Sequence, residues 1–439
     1  MVAKCKQLIL YLYPLQKLNM KVFKFGGASV NSLERIKNVA GIIASHQTDS
    51  LIVVVSAMGK TTNALEKVVE AFYAGDNQQA LILFENIKRT HLNTAKYLLV
   101  KEYNVAYDNL LNYFTEVEWL LHDRPVRNFD YYYDQVVCVG ELLSTAIVEA
   151  YLREEGLDSV FIDIRDVMRT DDNFRDASID WGFTSQRVKE IIQPHLDAGT
   201  IVLTQGFIGA TDENESTTLG REGSDYTAAI LANVLDAESL SIWKDVEGVM
   251  NADPKAFPGA TFISELSYEE VIEMAYYGAQ VIHPKTIKPL QNKSIPLYVR
   301  CFLDPALPGT VIHGRSVKNL PPIIVFKNDQ VLMNLTSLDF SFVSEKPMSQ
   351  LYEILSENRI KPNLVQTGAV RISICLDNHV EKIDQLASDA SGIFDVMIEK
   401  QLTLLTIRHF NNELLDNLVA GRSIEILQQS GNTVQVLMK

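Results

Sequence analysis

The segment KVFKFGGASVNSLERIKNVAGIIASHQTDSLIVVVSAMGK, Lys21 to Lys60, holds a complete structural unit. Val22 to Phe25 and Leu51 to Val55 are short apolar, β-branched runs, and the mixed stretch between them, Leu33 to Ala44, has the length of a helix. Strand, helix and strand in this order make a βαβ unit and therefore a parallel sheet. The first strand runs into Lys24-Phe25-Gly26-Gly27-Ala28-Ser29-Val30. Two consecutive glycines let backbone N–H groups approach an anion closely, the start of the following helix adds positive potential, and Lys24 adds a full charge. That is a phosphate site in outline, although the same glycines also suit a plain tight turn.

Outward from this unit, residues 61–158 read as mostly helical, with Leu65, Val68, Val69 and Phe72 at three- and four-residue spacing. Strands return at Ser159 to Ile164, Ile201 to Thr204 and Leu240 to Trp243, each leading into a turn rich in Gly, Asp or Thr. Such turns, at the carboxyl ends of parallel strands, are where these sheets bind ligands. After Asp304 to Ile312 comes a linker with Pro321 and Pro322, and a domain boundary is expected near residue 314. Beyond it Val331 to Thr336, a helix Pro347 to Asn358, Asn363 to Gln366 and Val370 to Asp377 read as βαββ. Leu402 to Arg408, Asn412 to Ala420, Ser423 to Gln428 and Thr433 to Met438 repeat that order. Two small ferredoxin-like units are expected. At the other end, residues 1–20 read as a poorly ordered extension: Pro14 interrupts their apolar run and no small-residue cleavage site follows.

A chain of 439 residues with 47% hydrophobic and 22% charged residues is globular and too long for one ordinary core. It carries no apolar run expected to span a bilayer. Its net charge of −15 argues against binding nucleic acid or an anionic membrane, so an anionic ligand needs locally concentrated cations and N–H groups. Four cysteines without metal-ligand spacing fit a reducing cytoplasm.

Three further stretches carry chemistry. Ser56-Ala57-Met58-Gly59 is a small-residue turn after a buried strand; with Thr61, Thr62 and Asn63 it contacts a substrate or caps a helix. Gly59-Lys60-Thr61 is not the end of a Walker A loop, because Val54 stands where that motif needs glycine. Thr217 to Thr227 combines hydroxyls, two glycines, Arg221 and Asp225 before an apolar helix. Arginine clamps a carboxylate bidentately, and an acid at a helix start receives either a substrate ammonium or the helix's own N–H groups. Trp243 to Lys255 mixes Lys244, Asp245, Asp253 and Lys255 with turn formers, which suits nucleotide phosphates and ribose or a solvated loop.

In this order and spacing, KFGGASV, VGELLSTAI, TQGFIG, TTLGREGSDYTAA, IWKDVEGVMNADP and GAQVIHPKT resemble the aspartate kinases of the amino-acid kinase superfamily, over Lys21 to Lys439. The resemblance implies an α/β fold, with an αβα sandwich over residues 21–313 followed by tandem βαββαβ ACT units over 314–439, one inserted within the other. It implies transfer of the ATP γ-phosphate to the β-carboxylate of aspartate, with Mg²⁺, and feedback by an end-product amino acid. Lys24, Gly26, Gly27, Ser29, Ser224, Lys244, Asp245, Asp253 and Lys255 would serve ATP. Ser56, Thr62, Glu141, Arg221 and Asp225 would bind aspartate, Glu141 being otherwise a salt-bridged helix acid. Lys24, Arg221 and Asp225 would be catalytic, and no protein ligand to the metal is assigned. Ser341, Asn363 and Gln366 are expected near the effector, in a homodimer or higher homo-oligomer formed through the ACT units. The chain departs from the family at Arg175, where glycine is common, and at Gln280, where a lysine commonly meets ATP phosphate.

Overall fold

The computed structural model describes residues 20–339 and 342–439. Apart from Met20, the extension 1–20 lies outside the described residues, as does Ser341. The chain divides into two compact units. One comprises residues up to Gly248 with Ser264–Tyr268 and Ile282–Arg315; the other comprises Val249–Ile263, Glu269–Val281 and Ser316–Lys439.

The first unit is built on an eight-stranded sheet. Its strands are β1 (Met20–Phe25), β2 (Ser50–Val55), β3 (Ser159–Phe161), β4 (Ile201–Gln205), β7 (Ser239–Lys244), β10 (Glu265–Ser267), β11 (Leu297–Cys301) and β12 (Thr310–His313). A small hairpin of β5 (Ile208–Ala210) and β6 (Ser216–Thr218) stands beside it. The order is β10-β12-β11-β7-β1-β2-β4-β3, parallel except where β11 meets β12. From β1 the chain proceeds to one side through β2, β4 and β3, then returns to the other side with β7. The strand order therefore reverses between β1 and β7, and the crevice outside their carboxyl ends is where a doubly wound sheet takes its ligand.

Sequence explains the layering. All six residues of β2 are buried, as a central parallel strand covered on both faces requires. Helix α1 (Leu33–Ala44) begins where Ser32 Oγ accepts a hydrogen bond from the Arg35 N–H, and it buries Ile36, Val39, Ala40 and Ile43 on one stripe. Phe23, Phe25 and Trp243 tie β1 to β7, with ring centroids 5.5 and 5.8 Å from Trp243. Long helices follow: α2 (Thr61–Tyr73), α3 (Asn77–Leu98), α4 (Tyr103–His122), α5 (Phe129–Val137) and α6 (Val139–Glu154). The continuous stretch Phe129–Glu154 is, against the expectation from composition, long and apolar enough to cross a membrane; 89% of its apolar window is buried inside the protein, so it is a core helix. After the short α7 (Trp181–Arg187) and α8 (Gln193–Asp197), α9 (Gly223–Val234) lies against β1, β2 and β7.

In the second unit, β8 (Val249–Met250) and β9 (Phe262–Ile263) form a hairpin, and α10 runs over Tyr268–Tyr276. Helix α11 (Pro284–Lys293) returns to the first unit. In the C-terminal region the two consecutive βαββ runs read from the residues give way to the inserted arrangement that the resemblance implies. β13 (Ile323–Ser337) and β16 (Phe394–Arg408) are single strands of 15 residues that pair antiparallel along their lengths. They are joined by α12 (Glu345–Glu357), β14 (Leu364–Thr367), β15 (Arg371–Asp377) and α13 (Val380–Ala390), a helix not expected from sequence. α14 (Asn412–Val419), β17 (Ile424–Ser430) and β18 (Thr433–Met438) complete one sheet, ordered β14-β15-β13-β16-β18-β17.

One βαββαβ unit, from Val331 to the start of β16, is thus inserted in a second. The inner unit packs Val331, Met333, Leu335, Ile372 and Ile374 on Leu351, Leu355, Ile383 and Leu386. The outer unit packs Ile324, Leu405, Ile407, Val434 and Val436 on Leu414, Leu415 and Leu418, and also on Ala252, Phe257 and Ala260. Register shifts between Lys327 and Leu332 separate the halves of β13, and the helix-facing set changes there from even to odd positions. Asp329 and Gln401 adopt left-handed backbone at φ 53° and 64°, which is why the polar stretches around them read as chain breaks. Arg408 donates to Glu270 at 2.6 and 2.9 Å and to Glu273 at 2.8 Å, fastening α10 to β16.

Candidate active site

The carboxyl ends of β1, β2, β4 and β7 bring several of the expected residues together. Lys24, one residue from the end of β1, forms an ion pair with Asp225 at 2.6 Å. Asp225 stands in the first turn of α9, where the N–H groups of a helix start favour a carboxylate. Two glycines allow that helix to begin so close to the sheet. A Cβ on Gly206 would lie 2.5 Å from the Ser224 Cβ, and one on Gly223 would lie 2.7 Å from the Phe207 ring. Ser224 is buried at this junction.

Gly26 and Gly27 lead into a 3₁₀ turn, Gly27–Val30. A Cβ on Gly27 would lie 2.6 Å from the Ala57 carbonyl oxygen, so glycine is required for the two strand-end loops to touch. The loops are joined by the Gly59 N–H donating to the Gly27 carbonyl at 3.0 Å and the Ser56 N–H donating to the Phe25 carbonyl at 3.1 Å. Ser29 is buried, and its hydroxyl donates to the Trp243 carbonyl at 3.4 Å, across the reversal between β1 and β7. Thr61 Oγ1 donates to the Met58 carbonyl at 2.6 Å, while Thr62, the expected contact, is half-buried beside it.

Glu141 lies in the first turn of α6, which Gly140 lets approach Ala57, Thr61 and Leu65. Its side chain is buried, and among the described residues its Oε2 has no hydrogen-bond partner. Burial pushes its carboxyl up to about 8, against the opposing pull of the Ala57 N–H and the Lys24 charge. A buried carboxyl oxygen without a partner is costly, and an incoming cation would satisfy it.

Arg221 is exposed. Glu222, at φ 56°, accepts the His283 N–H at 2.8 Å. A Cβ on Gly220 would lie 2.6 Å from Asp176 Oδ1, and Asp176 in turn pairs with Lys285. Burial holds the His283 ring below its ordinary value, with Lys285 and Arg221 adding positive charge nearby. Arg175, the departure from glycine, has φ 70°, the left-handed backbone that favours glycine. Sequence reasoning passed over Asp134, which accepts from the Arg175 N–H at 3.0 Å, the Thr218 N–H at 2.8 Å and the Thr218 hydroxyl at 2.6 Å. Its only signal was a lone acid inside the apolar run Tyr131 to Val137.

Lys244 ends β7 half-buried, and Asp245 follows it, exposed. Asp253 and Lys255 fall in the second compact unit, both exposed, with Asp253 accepting the Lys255 N–H at 2.9 Å. Gln280 is exposed in that unit too. Of the expected effector residues, Asn363 accepts from Lys327 Nζ at 2.7 Å and donates to Gln330 at 2.8 Å and Asp377 at 2.9 Å. Gln366 lines a cleft of about 430 Å³ with Asn334, Arg371, Ser373, Glu399 and Glu425. Among the described residues, no group of three or more His, Cys, Asp or Glu side chains could hold a metal ion.

Residues 19–301 match the model of the amino acid kinase family. The chain is 30% identical to lysine-sensitive aspartokinase 3 of Escherichia coli over 413 residues, 92% of this chain and 89% of the relative. It is 30% identical to the chloroplastic aspartokinase 1 of Arabidopsis thaliana over 438 residues, 95% of this chain and 74% of that one. Among solved structures, E. coli aspartokinase III in complex with aspartate and ADP, in the R-state, superposes with a TM-score of 0.82 at 27% identity over 95% of this chain and 96% of that chain. The same enzyme with lysine and aspartate, in the T-state, gives 0.76 at 28% identity, over 95% of each chain.

Proposed function

The chain belongs to the amino acid kinase family and, within it, to the aspartokinases, and on that footing we propose how its residues move the γ-phosphate of ATP onto the β-carboxylate of L-aspartate. The product is 4-phospho-L-aspartate, for lysine, threonine and methionine synthesis, and an end-product amino acid controls the rate. A carboxylate nucleophile is ionised at neutral pH, its reference pKa being roughly 4, so the attack needs no general base. What remains is positioning and charge neutralisation.

Arg221 clamps the α-carboxylate, where a planar fork of donors matches two oxygens. Glu141 and Asp225 receive the ammonium, with Ser56 and Thr62 at the rim. Gly26, Gly27, Ser29 and Ser224 meet the transferring phosphate, and Lys24 neutralises charge that grows as the phosphoryl group moves. Lys244, Asp245, Asp253 and Lys255 serve the rest of the nucleotide. The observation that carries this assignment is Glu141: a buried carboxyl with an unpartnered oxygen, within the field of Lys24, supports a site that completes itself with a substrate ammonium.

A Mg²⁺ ion would arrive on the nucleotide phosphates with few protein ligands. When bound, that ion neutralises phosphate charge. The catalytic domain is read as residues 21–313 and the regulatory region as 314–439, the latter pairing with a second copy in a cytoplasmic homodimer. Hydroxylamine trapping tests the chemistry: the acyl phosphate of aspartate yields aspartohydroxamate in step with ADP, and ADP release without hydroxamate would refute carboxyl transfer.

A further inference from the structure

We infer that Asp134 is a positioning residue for aspartate recognition, holding in place the loop that carries Arg221. The inference rests on the reading of Arg221 as the α-carboxylate clamp.

Asp134 is fully buried in α5, and its carboxylate gathers donors from two separate chain segments. On one side stand the N–H and hydroxyl of Thr218, at the end of β6 and three residues before Arg221. On the other stands the N–H of Arg175 at 3.0 Å, one residue before Asp176. Asp176 lies close against the loop, its Oδ1 2.6 Å from where a Cβ on Gly220 would stand, and it pairs with Lys285. The Arg221 loop is thus bonded at Thr218 and Glu222 and packed closely against Asp176 at Gly220, and Asp134 supplies the first anchor directly and, through the Arg175 N–H, holds the segment that carries Asp176.

Chemistry explains why an acid is needed. All the groups facing Asp134 here are donors, and only an ionised carboxylate offers acceptors to each of them. Arg175 stands at φ 70°, a conformation that costs a non-glycine residue, and the bond from its N–H to Asp134 offsets part of that cost. Asparagine at 134 would keep the shape but has one acceptor oxygen: with that oxygen on the Arg175 and Thr218 N–H groups, its N–H₂ faces the Thr218 hydroxyl, which must reverse to accept, and the charge that strengthens all three bonds is lost, loosening the loop without emptying the core.

The test is steady-state kinetics of the full chain, with aspartate and ATP varied separately. Asp134→Asn is expected to raise the aspartate KM about tenfold or more, with the ATP KM and kcat within about threefold of the parent. Thr218→Val, which removes one donor to Asp134, should act in the same direction, and Thr218→Ser, which keeps the hydroxyl, should restore the parent KM. If Asp134→Asn does not fold, the two Thr218 variants decide the matter alone. Arg221→Ala is the control. An unchanged aspartate KM there overturns the clamp itself. A raised KM there, with the parent KM kept in Asp134→Asn or in Thr218→Val, overturns the positioning role alone. A parallel rise in both KM values with a fall in melting temperature would make Asp134 merely structural and also overturn it.

Discussion

Lys24 Nζ and Asp225 Oδ1 stand 2.6 Å apart with their side chains 13% and 4% exposed, so the cation at the end of β1 is held by the first turn of α9 before any substrate arrives. A buried pair of this kind is costly to break from one side, typically by about 3–5 kcal/mol. Its worth here lies in pre-orientation, since charge that grows in the transition state meets a group already in place.

Lys24→Ala is therefore expected to lower kcat about 10²-fold or more, and Asp225→Ala to raise the aspartate KM and reduce thermal stability together. Initial rates and melting curves on the two variants check this. A Lys24→Ala enzyme with near-parent kcat would remove Lys24 from the chemistry.

Glu141 gives a pH signature. Its carboxyl is pushed up to about 8 by burial, so below that pH the free enzyme holds it largely neutral, whereas an ammonium partner requires the carboxylate. The aspartate KM should fall as the pH is raised toward 8, and Glu141→Gln should have a high KM that no longer changes with pH. A pH-independent KM in the parent enzyme would contradict the assignment.

The same group acts on stability. From its ordinary value of 4.5 up to about 8 the folded state retains a proton that the unfolded chain has released, so folding weakens as pH rises through that window. Glu141→Gln should accordingly melt higher than the parent at pH 8 and lose the advantage at pH 4.5. Equal melting temperatures at both pH values would deny the burial cost.

His91 has the opposite sign. It is buried in α3 with Nδ1 donating to the Ile87 carbonyl at 2.8 Å, and burial lowers it from 6.5 to about 4. The unfolded chain takes up a proton in that window and the folded one does not, so stability should drop as pH falls from 6.5 toward 4, by about 3 kcal/mol. The urea midpoint of the parent should fall relative to that of His91→Leu as the pH is lowered. A constant difference in midpoint would show that another group governs acid sensitivity.

Regulation is tested by titrating lysine and threonine separately at subsaturating aspartate. Asn363 is uncharged and already satisfied by Lys327, Gln330 and Asp377, so it offers little to a lysine ammonium. Weak inhibition by lysine, or control by threonine instead, is expected; strong lysine inhibition would place the effector's ammonium groups on other residues.

Local pattern made much of this legible. The sequence bounds of β1, α1 and β2 hold to within two residues, because apolar runs and one capping serine decide them. Lys24, Asp225 and Glu141 were legible as members of compact motifs. Asp134 was not, since its partner Thr218 lies 84 positions away and nothing near it announces the pairing. The continuity of β13 and β16 was hidden for a different reason: their bulges carry polar residues and positive φ, the same signals that mark a turn.

The most direct measurement is ADP release by the full chain with Mg²⁺ and ATP, comparing L-aspartate with L-glutamate as acceptor. The account predicts release that saturates with aspartate and stays near background with glutamate, whose extra methylene carries the reacting carboxylate past the position fixed by Arg221 and Glu141. Comparable rates with both acids, or no release with aspartate, would contradict it.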